Sequence, residues 1–502
     1  MNITMLLEMA AGAMGDRIAV GTKADGITYQ ELYERAQRAA QVISDAGVER
    51  AGLVGLNGDD LPLMLFACSL AGVGFAPMNY RLKDEQLRGI VGRTAPSLVV
   101  ADKDVLGRIE NIEGVDLRER HAFAEQVTDS AMIEAGYTDP ESVAIWLFTS
   151  GTTGDPKAAL LRHRHLVSYV LSTVEFMAAD ESEANLVSVP PYHIAGMATI
   201  LSNTYAGRRT VYLPQFDPEV WVAMASEEHI THAMVVPTML GRILDAMEAT
   251  NTTLPHLRHL SYGGGRMPLP VIERAMTMLP DTGFVNAYGL TETSSTVSVL
   301  GPEDHREAFA SDDPAIRARL ASVGRPFPSL ELEIRDPEGA VLGAGEVGEI
   351  YVRGEQIAGE YHGKSALNAE GWFPTNDGGY LDADGFLFVE GRLDDVIVRG
   401  GENISPGEIE DVILSHEAVE AVAVIGIPDD EWGEQVAAAI VVKLGASLSQ
   451  TEICDYVRER LRSTKTPVVV QFREELPFND TGKLLRRVLR SEVAEYRASL
   501  NN

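Results

Sequence analysis

The chain has 502 residues, more than one ordinary core organises, so at least two domains are expected. Its composition, 45% hydrophobic and 23% charged, is that of a soluble globular protein. A net charge of −32 argues against a nucleic-acid or anionic-membrane surface, which needs clustered lysine and arginine. Any anionic ligand must be met by cations placed locally against an unfavourable overall field. The N-terminal stretch MNITMLLEMAAGAMGDR has no basic flank and is broken by Glu8, so it reads as a helix of the fold rather than a signal peptide. TYQELYERAQRAAQVISDAG is an amphipathic helix ending at Gly47. Next come the strand GLVGL, a buried helix PLMLFACSLAGVG and the strand SLVVA. Cys68, inside that apolar helix, is a small buried hydrophobe, and with Cys454 far away no disulfide framework or zinc site is suggested. A reducing cytoplasm is the default, and no apolar run reaches the roughly 18 residues of a membrane span.

After Ser142 the alternation resumes with VAIWLFT, a helix near 163–177, NLVSV, a helix near 195–206, RTVYL, and so on to GFVNAY at 283–288. Repeated strand–helix units argue for α/β layers with largely parallel sheets. Residues 330–390 change period: LELEIRD, VGEIYVRG and GFLFVEG are alternating strands between glycine-rich turns, a small β-rich subdomain. The chain punctuates itself at GRLDDVIVRGGENISPGEIE. Beyond it a helix (406–415), the strands AVAVIGI and VAAAIVV, a helix (450–463), VVVQF and an arginine-rich helix form a compact α+β unit. The expected organisation is a large domain over 1–392 and a small one over 393–502.

The chemistry is concentrated in LFTSGTTGDPKAALL. VAIWLFT runs into Ser150, Gly151, Thr152, Thr153, Gly154, Asp155, Pro156 and Lys157. Glycines let successive backbone N–H groups close on an anion. Thr149, Ser150, Thr152 and Thr153 add hydroxyl donors, and Lys157 adds a charge. The Walker loop, G-x-x-x-x-G-K-[ST] opening a helix, is excluded, because Pro156 intervenes before the lysine and Ala158 replaces the metal-binding hydroxyl. Such a loop suits a phosphate group that must arrive and leave.

S-G-T-T-G-x-P-K resembles the signature loop of the adenylate-forming superfamily: acyl- and aryl-CoA synthetases, peptide-synthetase adenylation domains and luciferases. Further motifs resemble that family in order: PPYHIAGM (190–197), SYGGGRMP (261–268), NAYGLTET (286–293), GWFPTNDGGYLDADGFLFVEGRLDD (371–395), GGENISPGEIE (400–410) and NDTGKLLR (479–486). The likeness spans roughly residues 20–490. It implies the superfamily's fold, with a large layered α/β domain and a small mobile C-terminal lid. It implies a two-step reaction: a carboxylate attacks the α-phosphorus of ATP, pyrophosphate leaves, and a thiol, usually of coenzyme A, displaces AMP from the acyl-adenylate. Glu292 would be the Mg²⁺ ligand or its anchor, Thr291 a donor to the α-phosphate, and Lys483 the cation bridging carboxylate and phosphate. Asp377 would accept both ribose hydroxyls, Tyr288 would face adenine opposite Gly263, Gly264 and Gly265, and Arg392 would contact ribose or phosphate. Asp394 matches the family's hinge, and Gly401 would lie beside the thiol arm. One departure stands out: the family's T-G-D reads Thr375-Asn376-Asp377, and Asn tolerates the left-handed backbone.

In amino-acid-activating relatives an aspartate near His193 holds the substrate ammonium, and none follows here until Asp217. The acid is therefore expected to be uncharged along its chain. His193 orients or gates it, and Ile194, Gly196, Val236 and Met267 wall the pocket, with Arg266 either placing a carboxylate or lying on the surface. A fatty acid is the first choice and an aryl acid the second. Coenzyme A is the preferred acceptor, a separate acyl carrier protein the alternative, and a non-catalytic binding protein the remote third reading.

Overall fold

The computed structural model describes residues 1–134, 136–149, 156–429, 431–478 and 484–500. Two large sheets dominate the first 365 residues. In one, Val143–Thr149, Gly74–Met78, Arg50–Val54, Ser97–Ala101 and Val115–Glu119 lie side by side and parallel in that order, and Lys157–Arg162, Glu360–Tyr361 and Lys364–Ser365 add an antiparallel edge beside Val143–Thr149. In the other, Gly283–Leu290, His259–Gly263, His232–Val235, Ala184–Val187 and Arg209–Tyr212 lie side by side and parallel. Strands such as Gly74–Met78 and Ser97–Ala101 are buried at every residue, as expected where helices cover both faces. The helix Asp60–Ala71 is apolar all round, Cys68 included, and ends at Gly72 with φ +71°. Burial pushes the Cys68 thiol well up, so it is inert packing.

The predicted amphipathic helix is Tyr29–Asp45, and its start is explicit in the sequence. Thr28 Oγ1 accepts from the Glu31 amide at 3.2 Å, while Glu31 Oε2 accepts from the Thr28 amide at 2.8 Å. Thr28→Ala is expected to lower the unfolding free energy by about 1 kcal/mol, read by denaturant titration.

The β-rich segment is a four-stranded antiparallel sheet, Glu331–Arg335, Gly348–Arg353, Phe373–Leu381 and Leu387–Arg392. Its third strand was not foreseen. After residue 392, Ile397–Arg399 and Glu402–Ile404 form a hairpin against Gly433–Val442, which also pairs with Val419–Asp429 and, in parallel, Val469–Arg473. The helices Pro406–Leu414, Gln450–Arg458 and Arg486–Leu500 pack on this sheet over their own apolar clusters. The expected helix near 163–177 stops at Thr173, because the β-branched Val174 leaves helical geometry there, being extended with φ −134°.

Candidate active site

The parallel strands of the second sheet end at one edge, where an open α/β sheet places its ligands. Their order there is the order of the expected subsites. Gly283–Leu290 carries Tyr288 and runs into Thr291 and Glu292. Beside it, His259–Gly263 ends in Gly263, Gly264 and Gly265. Then His232–Val235 leads to Val236, and Ala184–Val187 to His193 and the helix Ile194–Ala206. A Cβ on Gly263 would stand 2.3 Å from the Ala287 carbonyl oxygen, so only glycine allows this strand approach. Gly264 has φ +77°, and a Cβ there would touch Val236 at 3.7 Å, so the stretch expected to face adenine adjoins the expected acyl wall. Ile194 packs on the N-terminal core, Gly196 lies over the Pro190 carbonyl, and Met267 is buried in the second-sheet core. His193 stacks obliquely on Tyr192 at 5.2 Å, and Tyr192 meets Tyr80 edge-on at 6.2 Å.

The phosphate loop departs from Val143–Thr149 and returns as the antiparallel strand Lys157–Arg162, so its lysine opens a strand and not a helix. Thr149 and Lys157 frame it, while Ser150, Gly151, Thr152, Thr153 and Gly154 lie outside the described residues, as does Lys483. Phe478 and Leu484 bridge across the ends of the segment holding Lys483, and just beyond them Arg486 pairs with Glu410 at 2.6 Å.

Two of the residues expected at the nucleotide, Tyr288 and Arg392, converge on a third, Asp377. Opposite Ile350 the register between Gly348–Arg353 and Phe373–Leu381 slips, leaving Thr375, Asn376 and Asp377 as a bulge. Its polar groups are satisfied locally. Thr375 Oγ1 donates to the Ile350 carbonyl (2.8 Å), the Asn376 amide to Glu349 Oε1 (3.0 Å) and the Asp377 amide to Thr375 Oγ1 (3.1 Å). Asn376 has φ +59°, the left-handed backbone anticipated for a residue replacing glycine. The nearly buried Asp377 carboxylate takes Tyr288 OH at 2.7 Å on one oxygen and Arg392 Nε at 3.1 Å on the other. Burial first, and the Asp377 charge second, push the Tyr288 phenol well up, so it stays a donor. Asn376 Nδ2 also donates to Asp394 at 3.2 Å, joining this turn to the expected hinge.

Glu292 sits in a short 3₁₀ turn and is 8% exposed. Among the described residues no group of three or more His, Cys, Asp or Glu side chains is arranged to hold a metal. A single hard carboxylate does suit Mg²⁺, which is commonly held by one or two carboxylates, the substrate's phosphates and water. Sequence reasoning missed Tyr361, whose hydroxyl donates to Glu292 Oε1 and whose ring faces the Lys157 ammonium at 5.9 Å. It sits in G-E-Y-H-G, a stretch with no chemical signature, and only strand register brings it here. Arg266 is placed on Asp411 of the helix Pro406–Leu414, with which it forms an ion pair.

The sequence matches the family model for AMP-binding enzymes over residues 7–362 and that for the AMP-binding enzyme C-terminal domain over residues 408–483. The chain belongs to the AMP-binding enzyme family. This places it in the adenylate-forming superfamily, with the fold that the motifs implied, among the AMP-forming acid–thiol ligases. A similar AMP-binding enzyme is a 2-succinylbenzoate–CoA ligase of Bacillus cereus (strain Q1), 32% identical over 492 residues and 96% of each chain. Among solved structures, o-succinylbenzoate CoA synthetase (MenE) from Bacillus subtilis in complex with the acyl-adenylate intermediate OSB-AMP has a TM-score of 0.85, with 29% identity over 97% of each chain. The same synthetase in complex with ATP and magnesium ion has a TM-score of 0.83, 28% identity, and covers 96% of this chain and 98% of its own.

Proposed function

We propose that this AMP-binding enzyme activates an aryl carboxylic acid with ATP and Mg²⁺ and transfers the acyl group to coenzyme A. The substrate carboxylate oxygen bonds to the α-phosphorus as the bond to pyrophosphate breaks. The thiol sulfur then bonds to the acyl carbon, its proton passes to solvent, and AMP leaves. The observation that carries this reading is the order along the sheet edge, with Glu292 and Tyr288 beside Gly263–Gly265, then Val236, then Ile194. On this reading the acyl wall would lie next to the nucleotide's α-phosphate, where approach and orientation are supplied in advance.

Glu292 would hold Mg²⁺ together with the nucleotide's phosphates. When bound, the metal neutralises charge on the phosphates and on the departing pyrophosphate. Thr291 and the loop from Thr149 to Lys157 would donate to phosphate oxygens, Asp377 would accept the ribose hydroxyls, Tyr288 would face adenine, and Arg392 would contact ribose or phosphate. The lobes divide at 392/393, with Asp394 as the pivot and Gly401, φ +85° with open space over its Cα, beside the thiol path. The setting proposed is the cytoplasm.

The 2-succinylbenzoate ligases among the relatives support an aryl acid, the second choice from sequence, better than the fatty acid that came first. Arg266, which precedes Met267 of that wall, is paired with Asp411. The test is incubation with ATP, Mg²⁺ and a panel of 2-succinylbenzoate, simpler benzoates and fatty acids, with and without coenzyme A. Pyrophosphate release and thioester mass are the readouts. Aryl acids are expected to give thioesters only when coenzyme A is present. A higher kcat/KM for fatty acids would overturn the substrate assignment, and transfer only to a carrier protein would overturn the acceptor.

A further inference from the structure

Residues 356–362 form a strap between the two halves of the phosphate site. On one side they grip the turn holding Glu292. The Ala358 and Gly359 amides both donate to the Glu292 carbonyl at 2.9 Å, and Gln356 Nε2 donates to the carbonyls of Thr293 (3.1 Å) and Thr296 (2.8 Å). On the other side they pair with the strand that returns from the phosphate loop. Tyr361 is in register with Ala159, the His362 amide donates to the Ala158 carbonyl at 2.9 Å, and Glu360 takes Arg162 bidentately at 2.7 and 2.8 Å. Tyr361 is the residue through which both sides meet in side chains, its hydroxyl on Glu292 and its ring under Lys157.

We propose that Tyr361 is a positioning residue for the metal carboxylate: it holds Glu292 Oε1, so that Oε2 is presented to the nucleotide-bound Mg²⁺, and it fixes this carboxylate relative to Lys157. The inference rests on the reading of Glu292 as the metal ligand. A nearly buried carboxylate with one oxygen tied by a hydroxyl keeps a single orientation, and such partners commonly tune metal affinity by an order of magnitude or more. The Glu292 carboxylate can only accept, so the Tyr361 hydroxyl is the donor in this contact.

The test is calorimetric binding of ATP with and without Mg²⁺, and of AMP without metal, to the full chain and to Tyr361→Phe, Glu292→Gln and the double variant. Phenylalanine keeps the ring and the strand, so folding is preserved. Tyr361→Phe is expected to weaken Mg²⁺-dependent ATP binding about tenfold, to leave AMP binding unchanged, and to add nothing in the Glu292→Gln background. Unchanged Mg²⁺-dependent binding in Tyr361→Phe, an equal loss of AMP binding, or a full further loss in the double variant each overturns the positioning role while leaving the metal role of Glu292 standing. If Glu292→Gln itself binds Mg²⁺ and ATP like the parent, the metal assignment fails, and the proposal fails with it.

Discussion

Lys483→Ala is expected to slow acyl-adenylate formation by about 10²-fold or more while leaving thioester formation from supplied acyl-adenylate largely intact. The first half-reaction presses a carboxylate against a polyanion, in a chain whose net charge of −32 makes the background field unfavourable. One preorganised cation at the reacting oxygens is worth about 10²–10³ in rate when removed. The second half-reaction starts from a mixed anhydride and has no such repulsion to overcome. Lys483 itself lies outside the described residues, and its placement rests on the N-D-T-G-K motif. The surrounding anchors are firm: Phe478 bridges Leu484, and Arg486 reaches both Glu410 and the Val424 carbonyl. Pyrophosphate release measures the first half-reaction, and thioester formation from synthetic acyl-adenylate measures the second. Equal losses in both would remove the lysine from its assigned place.

Asp377→Ala is expected to raise the dissociation constant for AMP by about 10²-fold. Hydrogen bonds to a charged group contribute about 1.5–3 kcal/mol each, and the carboxylate is assigned to both ribose hydroxyls. The same change strands the Tyr288 hydroxyl and removes the ion pair with Arg392, which keeps its bond to the Thr375 carbonyl. Stability should therefore fall as well, by about 1–3 kcal/mol, the cost of an unmet buried donor. Calorimetric titration with AMP, at a temperature where denaturant curves show the variant folded, separates the two effects. Wild-type AMP affinity in a folded Asp377→Ala protein would reject the ribose assignment.

What the sequence discloses follows the range of the forces involved. The Tyr29–Asp45 helix announces itself through a reciprocal cap three residues wide, and the parallel strands through continuous apolar runs. The strand Phe373–Leu381 hides, because T-N-D-G-G has poor strand propensity and no alternation. Pairing with Gly348–Arg353 and Leu387–Arg392 imposes its extended form. The conformation of Asn376 was legible from its chemistry alone, whereas its bond to Asp394 depends on where a separate strand ends. Tyr361 and Glu292 are 69 residues apart, and Arg266 and Asp411 are 145 apart. Pairings of that kind are decided by sheet register and lobe placement, which no local pattern encodes. For the same reason the lack of an acidic residue between His193 and Asp217 argues against an amino-acid substrate without fixing the acid's shape.

Asn376, where the family's motif has glycine, ties the turn of Asp377 to the proposed pivot. Its backbone shapes the bulge that presents Asp377, while its amide grips the Asp394 carboxylate. A swing at the proposed pivot that carries Asp394 off by more than about an ångström ends that grip, since hydrogen bonds weaken steeply beyond their normal range. A glycine chain has no such tether. With Asp377 at the ribose and Asp394 at the pivot, as proposed, the ribose cradle would itself sense which posture the C-terminal lobe has taken.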